Sequence, residues 1–340
     1  FKADMEKFEA RSERDGLAQE EVDQTYKHIR RLLEAEGDSP LSNDERERLA
    51  EQVMFQAADP NQIDQGRHST CNMNTVEVRT YTRNPADAAK LVADVATTGK
   101  YRSRDGMQVD IDAKPHNESR SPVRFDGDRS HASEIFQVTA ANLRFEHDNR
   151  KTDPPGQLRY EEVDRVPGTP SSERIVDYSK TPPAVVGDSP DVRVNNVGLM
   201  RDVYASITGD RESEIVLGHG NFVTDTTDGV KRINSEEELN SFLAAAKRDG
   251  KLPVIVTVHT SNEPFWTDSG GGAAGGSGGG HVVTITDYQE SPRPEITLDN
   301  SWGSRNDHDA RSPISVHDLF ISMQRPKDAV AVLRTDVQYN

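Results

Sequence analysis

Cysteine, aromatic residues and apolar residues are all scarce in this 340-residue chain. Because there is one cysteine, Cys71, no internal disulfide can form. Hydrophobic residues make up 33% of the chain and aromatic residues 6%, which predicts a small core, organised as one large or two ordinary domains. The 18 prolines favour long surface loops.

Positive charge and long apolar runs are also scarce. The 41 basic residues stand against 58 acidic ones, so the net charge is -17, which disfavours nucleic acids and anionic membrane surfaces as partners. No apolar run approaches the roughly 20 residues that span a bilayer, and no signal-peptide pattern opens the chain. We therefore expect a soluble protein with no nucleic-acid or membrane partner. Its localisation is not predicted, and because the sequence starts at Phe1, a domain cut from a longer protein remains an alternative.

The single cysteine lies in the segment 64–76, DQGRHSTCNMNTV, six residues after Gln65 and at the start of a helix-compatible run. Much later, GGGHVVTITDY supplies His281 and ITLDNSWG supplies Asn300. A free thiol has a pKa of about 8.5, and since the thiolate is the attacking species, a partner must favour the ionised form. In this order, Gln65, Cys71, His281 and Asn300 are the side chains that a thiol nucleophile needs for acyl transfer.

Each of these residue types has a chemical reason to be present. A helix N-terminus at Cys71 and the imidazolium of His281 both favour the thiolate. Asn300 would fix the tautomer and ring plane of His281 without adding a negative charge. The Gln65 amide and the Cys71 backbone N–H would donate to the oxyanion of the tetrahedral intermediate.

Two of these motifs resemble those of a known superfamily. QGRHSTC resembles the signature around the nucleophile of papain-like cysteine peptidases, and LDNSWG resembles their Asn-Ser-Trp-Gly segment. The blocks AADPNQIDQG, HASEIFQVTAANL and GHVVTITDY follow the order of calpain-like catalytic domains, from about residue 57 to residue 324. The chain is therefore identified as similar to papain-like peptidases, closest in layout to the calpain-like catalytic domains.

The resemblance implies an α+β, papain-like fold of two lobes. The expected catalytic domain is 58–340, with a helical lobe at 58–146, an insertion or long loop at 147–195 and an antiparallel β lobe at 196–340. The site would lie between the lobes. The implied roles are Cys71 as nucleophile, His281 as base and acid, Asn300 as orienting residue, Gln65 as oxyanion donor and Trp302 as the shield over the Asn–His bond, with Gly66, Trp302 and Gly280 assigned to substrate binding.

The function implied is a cysteine endopeptidase that acts on protein or peptide substrates without a cofactor. The other histidines lack zinc-ligand spacing and no calcium ligand set can be matched, so we expect no metal. Two alternatives remain open. One is another thiol acyl-transfer enzyme, namely a transglutaminase, deamidase or isopeptidase; the other is an inactive papain-like binding module, favoured by Asn72 where these families usually have an aromatic residue.

Two stretches of biased composition are expected to form loops or insertions. Cys71 and His281 are 210 positions apart, whereas papain-type enzymes have roughly 130 to 150, so an insertion is predicted. Residues 147–195, rich in Pro, Asp, Ser and Arg, are expected to form it as a long loop or an inserted ribbon. The glycine-rich stretch 269–280 lacks the ending of a phosphate loop and is expected to be a flexible linker or a mobile flap before His281.

Residues 1–57 are predicted to form a separate helical extension. An apolar stripe that includes Val22, Ile29 and Leu32 indicates an amphipathic helix ending near Gly37, and Ser42 with Glu45 predicts a capping box for the next helix. The extension is interpreted either as an intramolecular inhibitory propeptide or as a helical hairpin packed on the outside of the catalytic domain.

Capping residues and apolar periodicity predict the remaining elements. The predicted helices cover 71–83, 85–98, 131–144, 196–208 and 235–248. The predicted strands are a hairpin within 101–113, then 215–223, 252–259, 282–288, 296–298 and 330–337.

Overall fold

The computed structural model describes residues 1–35, 39–116, 119–120, 125–164, 172–187, 198–211, 215–219, 230–265, 280–290, 292–309 and 311–324. These residues form two compact units. Unit 1 takes in the described residues within Phe1–Val192, Asp202–Arg211 and Ser301–Arg305, and unit 2 those within Arg193–Arg201, Glu212–Asn300 and Asn306–Asn340. No helix in these ranges is both long enough and apolar enough to cross a lipid bilayer.

In the described part of residues 1–58, the chain forms three helices, α1 (Lys2–Asp15), α2 (Gln19–Glu34) and α3 (Asn43–Ala58). Helix α1 ends at Gly16, whose φ of 69° is the left-handed conformation that glycine adopts without strain. The predicted capping box is confirmed, because the Ser42 side chain accepts from the Glu45 N–H and the Glu45 carboxylate accepts from the Ser42 N–H. The predicted helix end at Gly37 lies outside the described residues.

The centre of unit 1 is helical. Helix α4 (Cys71–Arg83) packs against α5 (Pro85–Thr98) and α6 (His131–Asn149), and the bounds of α4 and α5 confirm the sequence prediction. Ten of the 13 residues of α4 are buried, and they include the polar residues Asn74, Glu77 and Arg79, so polar residues in this helix do not mark an exposed face. The helices of the N-terminal extension pack on the same group, α2 against α5 and α3 against α6.

The described residues of unit 1 also form two small antiparallel sheets. Strands β1 (Lys100–Arg102) and β2 (Gln108–Asp110) form the predicted hairpin, with Gly106 at a φ of 86° in its turn. Within the predicted insertion, β3 (Leu158–Glu162), β4 (Glu173–Asp177) and β5 (Ala184–Gly187) pair in that order. Helix α6 packs against β3. The parts of the insertion at 165–171 and 188–195 lie outside the described residues.

After helix α7 (Gly198–Thr208), the described residues of unit 2 form a six-stranded mixed sheet. In the order found across the sheet, its strands are β11 (Ile314–Ser315), β10 (Glu295–Asp299), β9 (Gly280–Gln289), β8 (Val254–His259), β6 (Val216–His219) and β7 (Val230–Ile233). Strands β8 to β11 pair in antiparallel fashion. Helices α8 (Glu236–Arg248) and α9 (Val316–Ser322) pack beside this sheet. The apolar side chains of the sheet form the core of the unit together with Leu239 and Leu243 of α8 and Leu319 of α9.

The expectation of a purely antiparallel β lobe is wrong at one edge of this sheet. Strand β6 runs parallel to both β7 and β8. The physical reason is the connection: α8 lies between β7 and β8 in the chain, and a helical crossover returns the chain so that the next strand runs in the same direction. The fold class is therefore mixed α+β. The rest of the predicted strand 215–223, from residue 220 onward, and the predicted strand 330–337 lie outside the described residues.

Candidate active site

Cys71 is the first residue of α4, as the sequence predicts, and Thr70 is the N-cap residue. The first turn of α4 contains no acidic residue, so no carboxylate there opposes a negative charge on the sulfur. The exposed backbone N–H groups of a helix N-terminus favour an anion, and thiols at such positions have lowered pKa values. Cys71 is half-buried. Its position suits a thiolate nucleophile.

The loop that leads into α4 is fixed by hydrogen bonds to buried side chains. The Thr70 hydroxyl donates to Gln137 Oε1 at 2.7 Å. The amide nitrogen of Gln137 in turn donates to Glu77 Oε2 at 2.9 Å and to the Asp64 carbonyl at 3.3 Å. Asn74, one turn into α4, donates to the Ile63 carbonyl at 3.0 Å. Helices α4 and α6 therefore hold both ends of the segment between Ile63 and Thr70.

Gln65 has its amide oriented by two partners on opposite sides. Its Oε1 accepts from the Ser301 hydroxyl at 2.5 Å, and its Nε2 donates to the His68 carbonyl at 2.6 Å. The Gln65 backbone N–H also donates to the Ser301 carbonyl at 3.1 Å. An amide nitrogen carries two hydrogens, and the second is the donor that the predicted oxyanion role requires. Gln65 is buried, so its orientation does not depend on solvent.

The three residues predicted to bind substrate, Gly66, Trp302 and Gly280, differ in burial and in local packing. Gly66 has a φ of 65°, and a Cβ there would lie 2.9 Å from Arg129 Cβ, so the position requires glycine for backbone and packing reasons. Trp302 is half-buried, and its carbonyl lies 3.0 Å from where a Cβ on Gly127 would be. Gly280 is exposed at the start of β9, where it pairs with His259. Residues 269–279 before it lie outside the described residues.

His281 and Asn300 are joined within unit 2. His281 lies on β9 and Asn300 directly follows β10, the neighbouring strand, so sheet pairing brings them together. His281 Nε2 and Asn300 Oδ1 are 2.9 Å apart, and both side chains are buried. The Asn300 backbone N–H donates to Asp307 Oδ1 at 2.8 Å, which fixes the residue after the strand.

This hydrogen bond determines the chemistry of the imidazole. A carbonyl oxygen only accepts, so Nε2 carries the proton of the neutral ring and Nδ1 is the nitrogen that can take one up. Burial lowers the pKa of His281 to about 4, although the bond with Asn300 acts in the opposite direction. The ring is therefore neutral at pH 7.

Sequence reasoning missed a buried charged cluster that lies next to the loop before Cys71, formed by His68, Arg129, Tyr160, Glu162 and Glu173. Arg129 forms a bidentate ion pair with Glu162, and the Tyr160 hydroxyl bonds to Glu162 Oε1 at 2.7 Å and to Glu173 Oε1 at 2.9 Å. His68 Nδ1 lies 3.5 Å from Glu162 Oε1 and 3.8 Å from Glu173 Oε1. Burial raises the pKa of Glu173, whereas Arg129 and His68 outweigh burial at Glu162 and lower its pKa.

Two sets of side chains in the described ranges are close enough to share a metal ion: His68, Glu162 and Glu173, and His116, Glu134 and Glu162. Glu162 belongs to both, and each of its oxygens already accepts from Arg129, with Tyr160 as a further donor to one of them. A cation would have to compete with the guanidinium for these lone pairs. The arrangement favours an internal ion-pair network over a metal centre, and the expected absence of a metal stays a prediction.

The buried hydrogen bond between His281 and Asn300 predicts a specific titration. In an unfolded chain this histidine has a pKa near 6.5, so between pH 6.5 and about 4 the unfolded state binds a proton that the folded state does not. This group therefore lowers stability as the pH falls through that window. Replacement of Asn300 by Asp places a carboxylate at the ring and should raise the pKa of His281 by about 1 to 3 units.

Nitrogen NMR of labelled histidine, recorded against pH, measures this pKa and shows whether Nε2 carries the proton. Asn240→Asp is the matched control, because Asn240 accepts from Tyr288 elsewhere in unit 2. A pKa near 6.5 in the native chain, or equal shifts in the two variants, would contradict the assignment.

The structure thus unites His281 with Asn300 within unit 2 and Gln65 with Ser301 within unit 1, and it begins α4 at Cys71. The shielding role of Trp302 stays a prediction. No protein-family model, no curated protein and no solved structure gives a significant match to this chain.

Proposed function

We propose that this protein is a cysteine peptidase that hydrolyses peptide bonds through Cys71, His281, Asn300 and Gln65. The observation that supports it most is the buried 2.9 Å bond between His281 Nε2 and Asn300 Oδ1, since it leaves Nδ1 as the base. The start of α4 at Cys71 and the fixed amide of Gln65 support the same chemistry. The finer fold proposal is a papain-like architecture of two lobes, 58–146 and 196–340, with 1–57 as a helical extension.

In the proposed reaction, His281 Nδ1 takes the thiol proton of Cys71, and the sulfur attacks the carbonyl carbon of the scissile peptide. The oxyanion that forms accepts from the Gln65 amide and from the Cys71 backbone N–H. When the intermediate collapses, the C–N bond breaks and the amine leaves with the proton from His281. A water molecule, deprotonated by His281, then attacks the thioester, which releases the carboxylic acid and restores the thiol.

The electrostatic setting acts on the proton transfer in two ways. Burial lowers the pKa of His281 to about 4, so the imidazole is unprotonated at neutral pH but is a weaker base than a free imidazole. In the proposal, the thiolate that forms beside the ring raises that pKa and holds the proton on His281 as an ion pair. The first turn of α4 contains no acidic residue, so no carboxylate there opposes the stabilisation of a thiolate by the helix N-terminus. No cofactor is needed for these steps, and the proposed substrate is a protein or peptide.

Cys71→Ala should lower hydrolysis of an unfolded protein such as casein by at least about 1000-fold, because no other residue supplies the nucleophile. Peptide-library profiling of the native chain against this variant measures the loss and gives the cleavage preference. If the native chain instead releases ammonia from glutamine substrates or cleaves isopeptide bonds while casein stays intact, another thiol enzyme is the correct class. Absence of any turnover, with Cys71 alkylated at the rate of a model thiol, would identify a binding module.

Gln65→Ala should lower kcat by about 100- to 1000-fold, the usual effect of losing one oxyanion donor, with KM little changed. Gln62→Ala is the matched control, since Gln62 is an exposed amide three residues earlier. Steady-state kinetics on a peptide found in the library profile measure both constants. A kcat equal to that of the control would contradict the oxyanion role.

A further inference from the structure

A hydrogen bond connects the segment just before Cys71 to the predicted insertion at 147–195, to which the sequence assigns no function. The Ser69 side chain is exposed, but the Ser69 backbone N–H donates to Glu173 Oε1 at 2.9 Å. Glu173 begins β4, more than 100 residues later, and its side chain is buried. A buried carboxylate thus holds the backbone two residues ahead of Cys71.

The Glu173 carboxylate is itself oriented by the buried cluster. The Tyr160 hydroxyl lies 2.7 Å from Glu162 Oε1 and 2.9 Å from Glu173 Oε1, and its single hydrogen is shared between the two carboxylates. Glu162 is fixed in turn by its bidentate ion pair with Arg129. Hydrogen bonds to charged groups are stronger than neutral ones, and burial protects them from exchange with water.

The cluster also meets the other end of the same loop. Gly66 packs so closely on Arg129 that a Cβ at Gly66 would lie 2.9 Å from Arg129 Cβ. The loop from Gly66 to Ser69 is therefore held at both ends, by packing on Arg129 at Gly66 and by the hydrogen bond to Glu173 at Ser69. Glu162 and Tyr160 connect Arg129 to Glu173 through hydrogen bonds. All of these residues belong to unit 1.

The contacts at both ends of this loop affect the positions of the two proposed oxyanion donors, Gln65 and the Cys71 N–H. Gln65 directly precedes Gly66, and the direction of the Cys71 N–H depends on the backbone of Ser69 and Thr70. A displacement of about 1 Å in such groups can lower a rate by about 100-fold. Loss of one anchor would therefore misplace the donors without removing any group that touches substrate.

We propose that Glu173 is a positioning residue for catalysis, through which the inserted sheet β3–β4–β5 holds the loop that presents Gln65 and Cys71. The inference rests on the proposed function for its effect on rate, whereas the effect on the loop can be measured without any substrate.

The test compares Glu173→Ala with Glu173→Gln, whose amide oxygen can still accept from the Ser69 N–H. The matched control is Glu161→Ala, which removes a carboxylate of the same sheet that bonds instead to Arg174 and Tyr178. Hydrogen exchange of the Ser69 amide should be at least about 100-fold faster in Glu173→Ala, and near the native rate in Glu173→Gln and in the control. Tyr160→Phe, a milder change, should also speed exchange and provides the result if Glu173→Ala does not fold.

Kinetics supply the second readout. In Glu173→Ala, kcat should fall by about 10- to 100-fold with KM unchanged, and Glu173→Gln should restore most of it. Unchanged Ser69 exchange, an unchanged kcat, or equal losses in Glu173→Ala and Glu161→Ala would overturn the inference. If the native chain hydrolyses no peptide, the proposed function fails, while the exchange comparison still decides whether Glu173 holds the loop.

Discussion

The bidentate ion pair between Arg129 and Glu162 is the interaction on which the loop before α4 depends. A chain with one cysteine has no disulfide to cross-link this loop, so non-covalent contacts must fix it. Both side chains of the pair are fully buried, and removal of one partner of such a pair costs about 3–5 kcal/mol because the other charge is left without compensation. Through Tyr160 and Glu173, the pair extends to the backbone of Ser69 and so to the start of α4.

In unit 2, a sheet fixes the relative positions of His281 and Asn300. Strands β9 and β10 are central, paired on both sides, and their register sets where His281 and Asn300 lie. Apolar residues cover this part of the sheet and exclude water, which lowers the pKa of the imidazole and keeps the ring neutral at pH 7. The hydrogen bond with Asn300 then places the proton of the neutral ring on Nε2. The sheet therefore sets both the burial of His281 and the tautomer of its ring.

The local parts of this arrangement could be predicted from the sequence, and the non-local parts could not. Asn84-Pro85 marks the boundary of α4 and α5, and the Ser42–Glu45 pair marks the start of α3, because both signals act within a few residues. The parallel pairing of β6 could not be predicted, since strand direction is decided by partners far along the chain. Glu162 and Glu173 were hidden for the same reason: in a chain with 58 acidic residues, only the pairing of β3 with β4 distinguishes these two from surface charges.

The pH dependence of the alkylation rate of Cys71 tests most directly whether this sulfur is a nucleophile activated by His281. Iodoacetamide reacts with the thiolate, so the inflection of the rate against pH gives the pKa of the thiol. We expect an inflection below the usual value of about 8.5 in the native chain, because the helix N-terminus and the imidazolium formed when His281 takes the thiol proton both favour the thiolate. We expect a return toward that value in His281→Ala. An inflection near 8.5 in the native chain that is unchanged in His281→Ala would show that Cys71 is an ordinary thiol and would contradict the proposed function.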